Sequence, residues 1–327
     1  MATLKDVAER AGVSVSTVSY VLNGQKKVKD ETLKRINDAI QELGYLPNMI
    51  ARGLKTNVSN TIGVIVTDLD NLFFVDIVRV IETTALKYNY NVILCNSRHS
   101  TEREEKHIKN LVGQRIDGMI IAGTGENCSA SLGCMDIPVV TIERGEGVGS
   151  GSVIMDDVFG GQLATQYLVD KGRMPMAILT FSLSFSTFRN RVHGCRKALE
   201  ANGYEYNENL MVEAEFGSYS EGYYAAKELL ERKIKFNSLF ACNDLLALGA
   251  MRAFMESGLR IPEDVAVVGY DDIQISKIFV PSLTTVAQST HDIGVNAVRL
   301  LHQLMKNEEI KESKIKLAPQ LIIREST

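Results

Sequence analysis

Charged, amide and aromatic side chains stand directly after strand-like apolar segments in the larger part of this 327-residue chain. The group comprises Asp68, Phe73, Phe74, Arg144, Asp156, Asp157, Arg189, Arg191, Phe216, Asn243, Asp244, Asp271 and Asp272. Because the carboxyl ends of parallel strands share one edge of a sheet, we expect these side chains to face a cleft. Carboxylates and a guanidinium pair with hydroxyl groups, and aromatic rings stack on the apolar face of a sugar. The residue types therefore predict a pocket for a small polyhydroxylated molecule, although a single Asp at such a junction is more often a helix N-cap.

Near the amino terminus, a second group of residues has the spacing of two short helices. Thr3 is predicted to cap the first helix, whose apolar face repeats at i, i+3, i+4 and i+7. Gly12 ends this helix, and Ser14 caps a second one with a buried stripe at Val18, Val21 and Leu22. Two short helices about a glycine-containing turn form the helix-turn-helix pattern, whose second helix enters the major groove of DNA.

The polar residues beside that stripe are short donors and acceptors with one aromatic side chain, namely Ser16, Thr17, Ser19, Tyr20 and Asn23. Such side chains suit base edges and phosphates. By pattern alone, a small helical hairpin with a solvated polar face is an equal alternative. A third helix over 31–43, or from Asp30, is predicted to complete an all-α head, with Leu33, Ile36, Ile40 and Leu43 on its inner face and Gly44 at its end.

From Thr61 onward, strand-like segments alternate with amphipathic helices. The predicted strands are 62–66, 92–95, 119–122, 138–142, 153–155, 177–180, 210–213, 238–241, 265–269, 284–287 and 320–324. The predicted helices are 74–88, 102–112, 160–169, 190–201, 220–231, 245–256 and 290–305. This alternation predicts parallel sheets covered on both faces, and the number of strands favours two α/β lobes over a single sheet.

Composition bounds the class of protein. Apolar residues make up 45% and charged residues 23% of the chain, which is typical of a globular protein. No apolar run approaches the ~18 residues of a membrane span, and the amino terminus is charged where a signal peptide is apolar, so we expect a cytoplasmic protein without a membrane segment. Residues 1–60 hold nine Lys/Arg against six Asp/Glu, and the remainder holds 27 against 34. A mildly basic head on an acidic body fits a DNA-binding protein.

Other kinds of chemistry lack their motifs. The five cysteines are scattered without a Cys-x-x-Cys pair, and the five histidines have no metal-ligand spacing. The chain holds neither a Gly-x-Ser-x-Gly elbow nor a Walker phosphate loop. We therefore expect no catalytic residues, no metal and no cofactor.

Long ordered motifs in both parts of the chain resemble the lactose-repressor (LacI/GalR) family of bacterial regulators. In the head these motifs are Leu4–Ala8, Val13–Ser19, Val21–Gly24, Leu43–Asn48 and Ala51–Leu54. In the body they are Asn243–Ala250, Gly258–Val265, Val268–Asp272 and Pro281–Val286. The resemblance covers essentially the whole chain. It implies a helix-turn-helix head joined to a two-lobed α/β effector domain of the type I periplasmic-binding-protein kind.

The resemblance also implies roles for individual residues. Base edges would be contacted by Val15, Ser16 and Tyr20, and backbone phosphates by Thr17, Ser19 and Asn23. The minor groove at the centre of the operator would receive the apolar wedge Leu54, with Lys55 beside it. The effector-binding positions are Phe73, Arg191, Phe216 and Asp271, to which the strand-end pattern adds Arg144 and Asn243. Tyr20 replaces an arginine that is common in the family, so the operator sequence does not carry over from relatives.

We therefore expect a homodimeric transcription repressor that reads a pseudo-palindromic double-stranded operator, since the leucine-heptad tail of tetrameric members is missing. The effector is expected to be a sugar or sugar phosphate, with a purine or a phosphoprotein corepressor as alternatives. The effector could act as an inducer, which lowers operator affinity, or as a corepressor, which raises it. A sugar-binding receptor or an enzyme on the same body is the alternative from another class. The expected domains are a head over 1–46, a hinge over 47–60 and an effector domain over 61–327. The lobes of that domain are expected over 61–156 with 287–311, and over 157–286 with 312–327.

Overall fold

The computed structural model describes residues 2–22, 28–45, 58–122, 136–143 and 149–327. The chain divides into two compact units, Met1–Ser59 and Asn60–Thr327. Most of the expected hinge over 47–60 lies outside the described residues.

The first unit contains three helices, α1 (Leu4–Ala11), α2 (Val15–Leu22) and α3 (Asp30–Leu43). The predicted cap at Thr3 is confirmed, because its hydroxyl accepts from the Asp6 amide and the Asp6 side chain accepts from the Thr3 amide. Gly12 ends α1 in the left-handed conformation at φ 63°. The Ser14 hydroxyl accepts from the Thr17 amide at 3.1 Å, which confirms the predicted start of the second helix.

The core of this unit contains fewer buried residues than the apolar pattern of its helices predicts. The buried residues are Val7, Ala8, Ala11, Val18, Ile36 and Ala39. Leu33 and Leu43 were expected on the inner face, but they are exposed. The helix α3 has 14 residues, whereas α1 and α2 have eight each. Leu33 lies in the first turn of α3 and Leu43 is its last residue, so both stand toward the ends of a helix whose middle supplies the buried Ile36 and Ala39.

The second unit is built on two six-stranded sheets. The first has the strand order β11-β5-β4-β3-β1-β2 and the second the order β12-β10-β9-β8-β6-β7. The strands are β1 (Thr61–Val66), β2 (Asn91–Asn96), β3 (Gly118–Ala122), β4 (Val139–Ile142), β5 (Gly151–Met155), β6 (Met176–Thr180), β7 (Met211–Glu213), β8 (Ser238–Ala241), β9 (Ala266–Asp271), β10 (Thr284–Ala287), β11 (Lys314–Leu317) and β12 (Gln320–Ile322). All described pairings are parallel except β10 with β12, so the predicted pair of largely parallel sheets is confirmed.

Helices cover both sheets. They are α4 (Leu72–Lys87), α5 (Thr101–Gly113), α6 (Asp157–Asp170), α7 (Ser186–Ala201), α8 (Tyr219–Glu231), α9 (Asp244–Glu256), α10 (Gln274–Ile278) and α11 (Thr290–Met305). Strands at the centre of each sheet, such as β3 and β8, are buried along their whole length, as a two-sided cover requires. Within the described residues, no helix is long and apolar enough to cross a membrane.

The chain passes between the lobes later than expected. We placed 312–327 in the second lobe, but β11 pairs with β5 in the first sheet, and only β12 belongs to the second. The Lys-Ile-Lys-Leu sequence of β11 alternates exposed and half-buried positions, which is the pattern of an edge strand with one covered face. Alternation over four residues is too short to predict a strand from sequence. The sheet that this strand joins is also not predictable locally, because its partner β5 lies about 160 residues away.

Candidate functional site

A cleft opens between the carboxyl ends of the two sheets. The lining residues are Thr67, Asp68, Asn71, Phe73, Phe74, His99 and Glu143 from the first lobe, and Phe181, Phe185, Ser186, Thr187, Phe188, Arg191, Gly217, Asn243 and Asp271 from the second. Both lobes therefore supply walls of the same cavity, at the place where open α/β sheets bind ligands.

Arg191, in the first half of α7, is the buried centre of the cleft. Its Nε donates to Oδ1 of Asp157 at 2.8 Å, and its Nη1 donates to the Cys242 carbonyl at 2.6 Å. The guanidinium carbon lies 3.6 Å from the centre of the Tyr270 ring, so the cation is stacked as well as bonded. Nη1 is 3.5 Å from Oδ1 of Asp271. With only 3% of its side chain exposed, Arg191 can be charged here only because carboxylates surround it.

Three buried carboxyl groups share this one guanidinium. Burial raises the pKa of Asp271 to about 6 against the opposing effect of Arg191, and it also raises the pKa of Asp157. Burial, with Asp157 nearby, raises the pKa of Glu143 to about 8. Burial acts to lower the pKa of Arg191, but Asp157 and the other acidic groups outweigh it and raise that pKa. Because one cation must compensate three carboxyl groups, Glu143 is the one most readily protonated, and its Oε2 is also the furthest from the guanidinium at 3.8 Å.

Two of these carboxyl groups sit on strained backbone. Glu143 follows β4 with φ 57°, and Asp271 ends β9 with φ 113°, both in the region that favours glycine. Such conformations cost about 1–3 kcal/mol each and persist where the surrounding structure imposes them. Gln288, in the segment between β10 and α11, donates to Oδ1 of Asp271 at 2.7 Å and so helps to fix the Asp271 side chain. The strain therefore directs two acidic side chains into the cleft.

The helices α6 and α7 touch backbone to backbone, and this contact positions Arg191 against Asp157. A Cβ on Gly161 would lie 2.1 Å from the Arg191 carbonyl oxygen, and one on Gly194 would lie 2.1 Å from the Val158 carbonyl oxygen. No other residue fits at these two positions while the helices keep this spacing. The ion pair in the cleft thus depends on two glycines that do not line it.

Gly161→Ala is expected to lower the free energy of unfolding by about 1–3 kcal/mol, because the added methyl group must push α7 away from α6. The same displacement moves Arg191 and should weaken effector binding. Urea denaturation and effector titration measure the two effects. Gly113→Ala is the matched control, since a Cβ there meets no atom within 4 Å. Equal stability of the Gly161 variant and the wild type would show that the helices separate without cost.

The second lobe also contributes an aromatic wall. Phe181 stacks on Phe185 with ring centres 5.1 Å apart and meets Phe188 edge-on at 4.9 Å. From the first lobe, His99 lies edge-on to Phe181 at 5.5 Å, and its Nε2 is 3.8 Å from Oδ2 of Asp68. Phe73 in α4 adds a buried ring from the same lobe. Aromatic faces beside carboxyl groups suit a flat or ring-shaped ligand with polar edges.

The predicted effector residues divide into three groups. Phe73, Arg191, Asn243 and Asp271 all line the cleft. Phe216 is 44% exposed and not among the lining residues, but its ring centre lies 6.2 Å from that of His99, which does line the cleft. Arg144 lies outside the described residues.

Two of the strand-end residues serve the fold. The Asn243 side chain accepts from the Leu246 amide at 2.7 Å and donates to the Gly217 carbonyl at 2.8 Å, so it caps α9 and keeps one N–H and one lone pair for a ligand. Asp244 is fully buried and accepts from Thr285, Ser276 and the Ile273 amide. Its burial raises its pKa to about 7. It joins three chain segments and does not face the cleft.

In the head, α2 presents a polar surface beside its buried Val18. Val15, Ser16 and Tyr20 are exposed, whereas Thr17 and Ser19 are half-buried. The hydroxyls of Ser16 and Thr17 lie 2.8 and 2.7 Å from the Ser14 hydroxyl, so the start of the helix carries a connected set of donors and acceptors. The predicted contacts Asn23, Leu54 and Lys55 lie outside the described residues.

The sequence pattern missed several residues of the cleft. They are Thr67, Asn71, His99, Glu143, Phe181, Phe185, Ser186, Thr187 and Phe188. Glu143 directly follows β4, so the strand-end signal that selected its neighbour Arg144 could have found it. Thr187 and the three aromatic residues lie in the loop and first turn of a helix that begins at Ser186, four residues before the predicted start. Within the described ranges, no group of three His, Cys, Asp or Glu side chains suits a metal ion.

Two family models match the chain. Residues 3–48 match the model described as bacterial regulatory proteins, lacI family. Residues 59–325 match the model described as periplasmic binding proteins and sugar binding domain of LacI family. The boundary between the matches falls where the chain divides into its two units.

Relatives and solved structures agree over the full length. The chain is 36% identical over 330 residues to the HTH-type transcriptional repressor PurR of Pasteurella multocida, covering all of this chain and 98% of the relative. It is 37% identical over 334 residues to PurR of Haemophilus influenzae strain PittEE, with the same coverage. The Lac repressor dimer bound to operator and the anti-inducer ONPF superposes with a TM-score of 0.91 at 31% identity, over 99% of this chain and 98% of that one. A transcriptional regulator CelR–cellobiose complex gives 0.77 at 32%, over all of both chains.

Proposed function

The chain belongs to the LacI family of bacterial regulatory proteins and is a DNA-binding transcriptional repressor of that family. On this basis we propose that a small molecule bound in the cleft controls the affinity of the protein for its operator. The observation that carries this proposal is that both lobes wall the cleft around Arg191. A ligand that touches both lobes favours one lobe arrangement over the other, which is the requirement for a regulatory change. Two heads of a homodimer would then read the two halves of a pseudo-palindromic operator.

We rank an uncharged purine base first as the effector and a neutral sugar second. Flat aromatic walls suit a purine ring, and the relatives bear the name PurR. A sugar fits the cellobiose complex of the CelR regulator and the same mixture of rings and carboxyl groups. A sugar phosphate, which the sequence also suggests, ranks lower. Among the described lining residues Arg191 is the only Arg or Lys, and its donors already face Asp157, Asp271 and the Cys242 carbonyl.

The test combines a thermal-shift screen with an operator mobility-shift assay on the full-length protein. Hypoxanthine, guanine, adenine, glucose, cellobiose and ribose 5-phosphate form the first panel. A true effector should raise the melting temperature and change operator affinity by about 5- to 150-fold, the usual range of a coupling of about 1–3 kcal/mol. An increase identifies a corepressor and a decrease an inducer. A compound that stabilises the protein without changing operator affinity would contradict the regulatory role of the cleft.

Tyr20→Ala tests the predicted reading surface of α2. Tyr20 is 44% exposed, so its loss should leave the head folded while operator affinity falls by about 1–3 kcal/mol, with relaxed preference at the base pairs it contacts. Fluorescence anisotropy on operator duplexes with single base changes measures both effects. Tyr204→Ala is the matched control, because Tyr204 is 41% exposed and belongs to the second unit. Unchanged preference at every base pair would remove Tyr20 from the reading surface.

A further inference from the structure

Glu143 carries the most unusual polar group of the cleft. Both of its carboxyl oxygens are buried, and neither has a hydrogen-bond partner within the described structure. The side chain is 8% exposed and lines the cavity. Buried polar atoms are nearly always hydrogen-bonded, so a carboxyl group with two unpartnered oxygens beside a cavity indicates that its partners come from a ligand.

The surroundings hold Glu143 in place without satisfying its side chain. Thr187 of the opposite lobe donates to the backbone carbonyl of Glu143 at 3.2 Å, not to its carboxyl group. The nearest guanidinium nitrogen of Arg191 is 3.8 Å away, which is too long for a hydrogen bond. The Met155 amide lies close enough to lower the pKa of the carboxyl group, but its geometry does not meet the distance and angle of a hydrogen bond. Together with the positive φ at Glu143, these contacts fix the direction of a side chain whose own partners are missing.

We propose that Glu143 selects the effector by binding two adjacent polar groups of a neutral ring molecule, one through each carboxyl oxygen. The matching groups are the N–H and C=O of a lactam edge, as in an oxopurine, or two neighbouring hydroxyls of a sugar. This inference rests on the proposed function of the cleft, and it adds a specificity-determining residue that the sequence pattern did not identify. A phosphate at this place would meet the carboxyl groups of Glu143, Asp157 and Asp271 around one guanidinium.

The protonation of the cluster makes the inference more specific. Burial and the neighbouring Asp157 and Asp271 raise the pKa of Glu143 to about 8, and Arg191 acts in the opposite direction. Tyr270 and the Cys242 thiol also belong to the cluster, and burial raises both of their pKa values, that of Cys242 to about 12, so both groups stay protonated. At neutral pH Glu143 is therefore an acid with one O–H donor and one carbonyl acceptor. A glutamine has the same pair of functions, whereas a leucine has neither.

The experiment compares Glu143→Gln and Glu143→Leu with the wild type, using isothermal titration with hypoxanthine, guanine, glucose and cellobiose. The glutamine variant should bind within about threefold of the wild type at pH 7, and the leucine variant about tenfold to a hundredfold more weakly. As pH rises above about 8, the ratio of wild-type to glutamine-variant affinity should fall about tenfold per unit, because only the wild type loses its proton. Taking the ratio cancels any ionisation of the ligand.

Glu200→Gln is the matched control, because Glu200 is exposed near the far end of α7. Operator binding without effector and thermal melting establish that each variant is folded. If the leucine variant does not fold, the pH series on the wild type and the glutamine variant still tests whether protonated Glu143 binds the effector. Wild-type affinity in the leucine variant would overturn the inference, and so would a glutamine variant as weak as leucine. Tighter binding of ribose 5-phosphate than of every neutral compound would overturn it as well. If the wild type binds none of the compounds, the proposed function and the inference are both overturned. If the wild type binds an effector that changes operator affinity, but substitutions at Glu143 do not change the affinity for that effector, only the inference is overturned.

Discussion

Arg191→Ala is expected to abolish the effector response and to lower the free energy of unfolding by about 3–5 kcal/mol at neutral pH. The guanidinium is almost fully buried, and it is the cation shared by Asp157, Glu143 and Asp271. Its removal leaves these acidic groups without compensation and also frees the Cys242 carbonyl from its donor. Removing one member of a buried ion pair costs far more than removing an exposed charge, because the remaining charge cannot recover its water.

The stability loss should depend on pH in a definite direction. Burial already raises the pKa of Asp271 to about 6 and that of Glu143 to about 8, and without Arg191 both rise further. A carboxyl group whose pKa is higher in the folded than in the unfolded state favours folding when protonated, and this advantage is lost as pH rises. The deficit of the variant should therefore be larger at pH 8 than at pH 5.

Urea denaturation of the wild type and Arg191→Ala at these two pH values measures the deficit. Lys197→Ala is the control, because it removes an exposed cation from the same helix. An equal deficit at both pH values would show that packing rather than charge dominates. Intact effector binding in Arg191→Ala would remove this residue from the effector site.

Operator affinity is expected to fall by about 10³–10⁵ when salt rises from about 50 to about 200 mM. This is the behaviour of a protein that neutralises some six to ten phosphates, which two heads of a dimer would contact together. The phosphate contacts are expected from Thr17 and Ser19, which are half-buried beside the exposed reading residues of α2, and from the basic excess of residues 1–60. The body is acidic and should contribute repulsion, not affinity.

Anisotropy titrations at five salt concentrations measure the slope of log affinity against log salt. A duplex of the same length with scrambled sequence is the control, and it should bind more weakly with a comparable slope, since phosphates carry no sequence information. A slope near zero on the operator would contradict a phosphate-dominated interface. A steep slope without any preference for the operator would leave the head a general DNA-binding domain.

The head shows how far local rules reach. Thr3, Gly12 and Ser14 placed both ends of the first helix and the start of the second correctly, because capping depends on atoms within about four residues. Leu33 and Leu43 were predicted on the inner face but are exposed, because burial depends on which elements pack over each end of α3. Similarly, most strand positions in the body followed from continuous apolar segments, but β11 was not predicted, and neither was the sheet that it joins.

The cleft shows the same division. Strand-end chemistry in the sequence indicated Phe73, Arg191 and Asp271, which the fold brings to one cavity. Only the tertiary structure decided that the Asn243 amide caps a helix, that Phe216 lies outside the lining and that Glu143 keeps two buried oxygens without partners. Residue type and spacing determine which side chains reach the carboxyl edge of a sheet, since strand direction is local. Which of them remain available to a ligand depends on partners that are distant in sequence, such as the carboxyl groups around Arg191 and the glycines that let its helix approach.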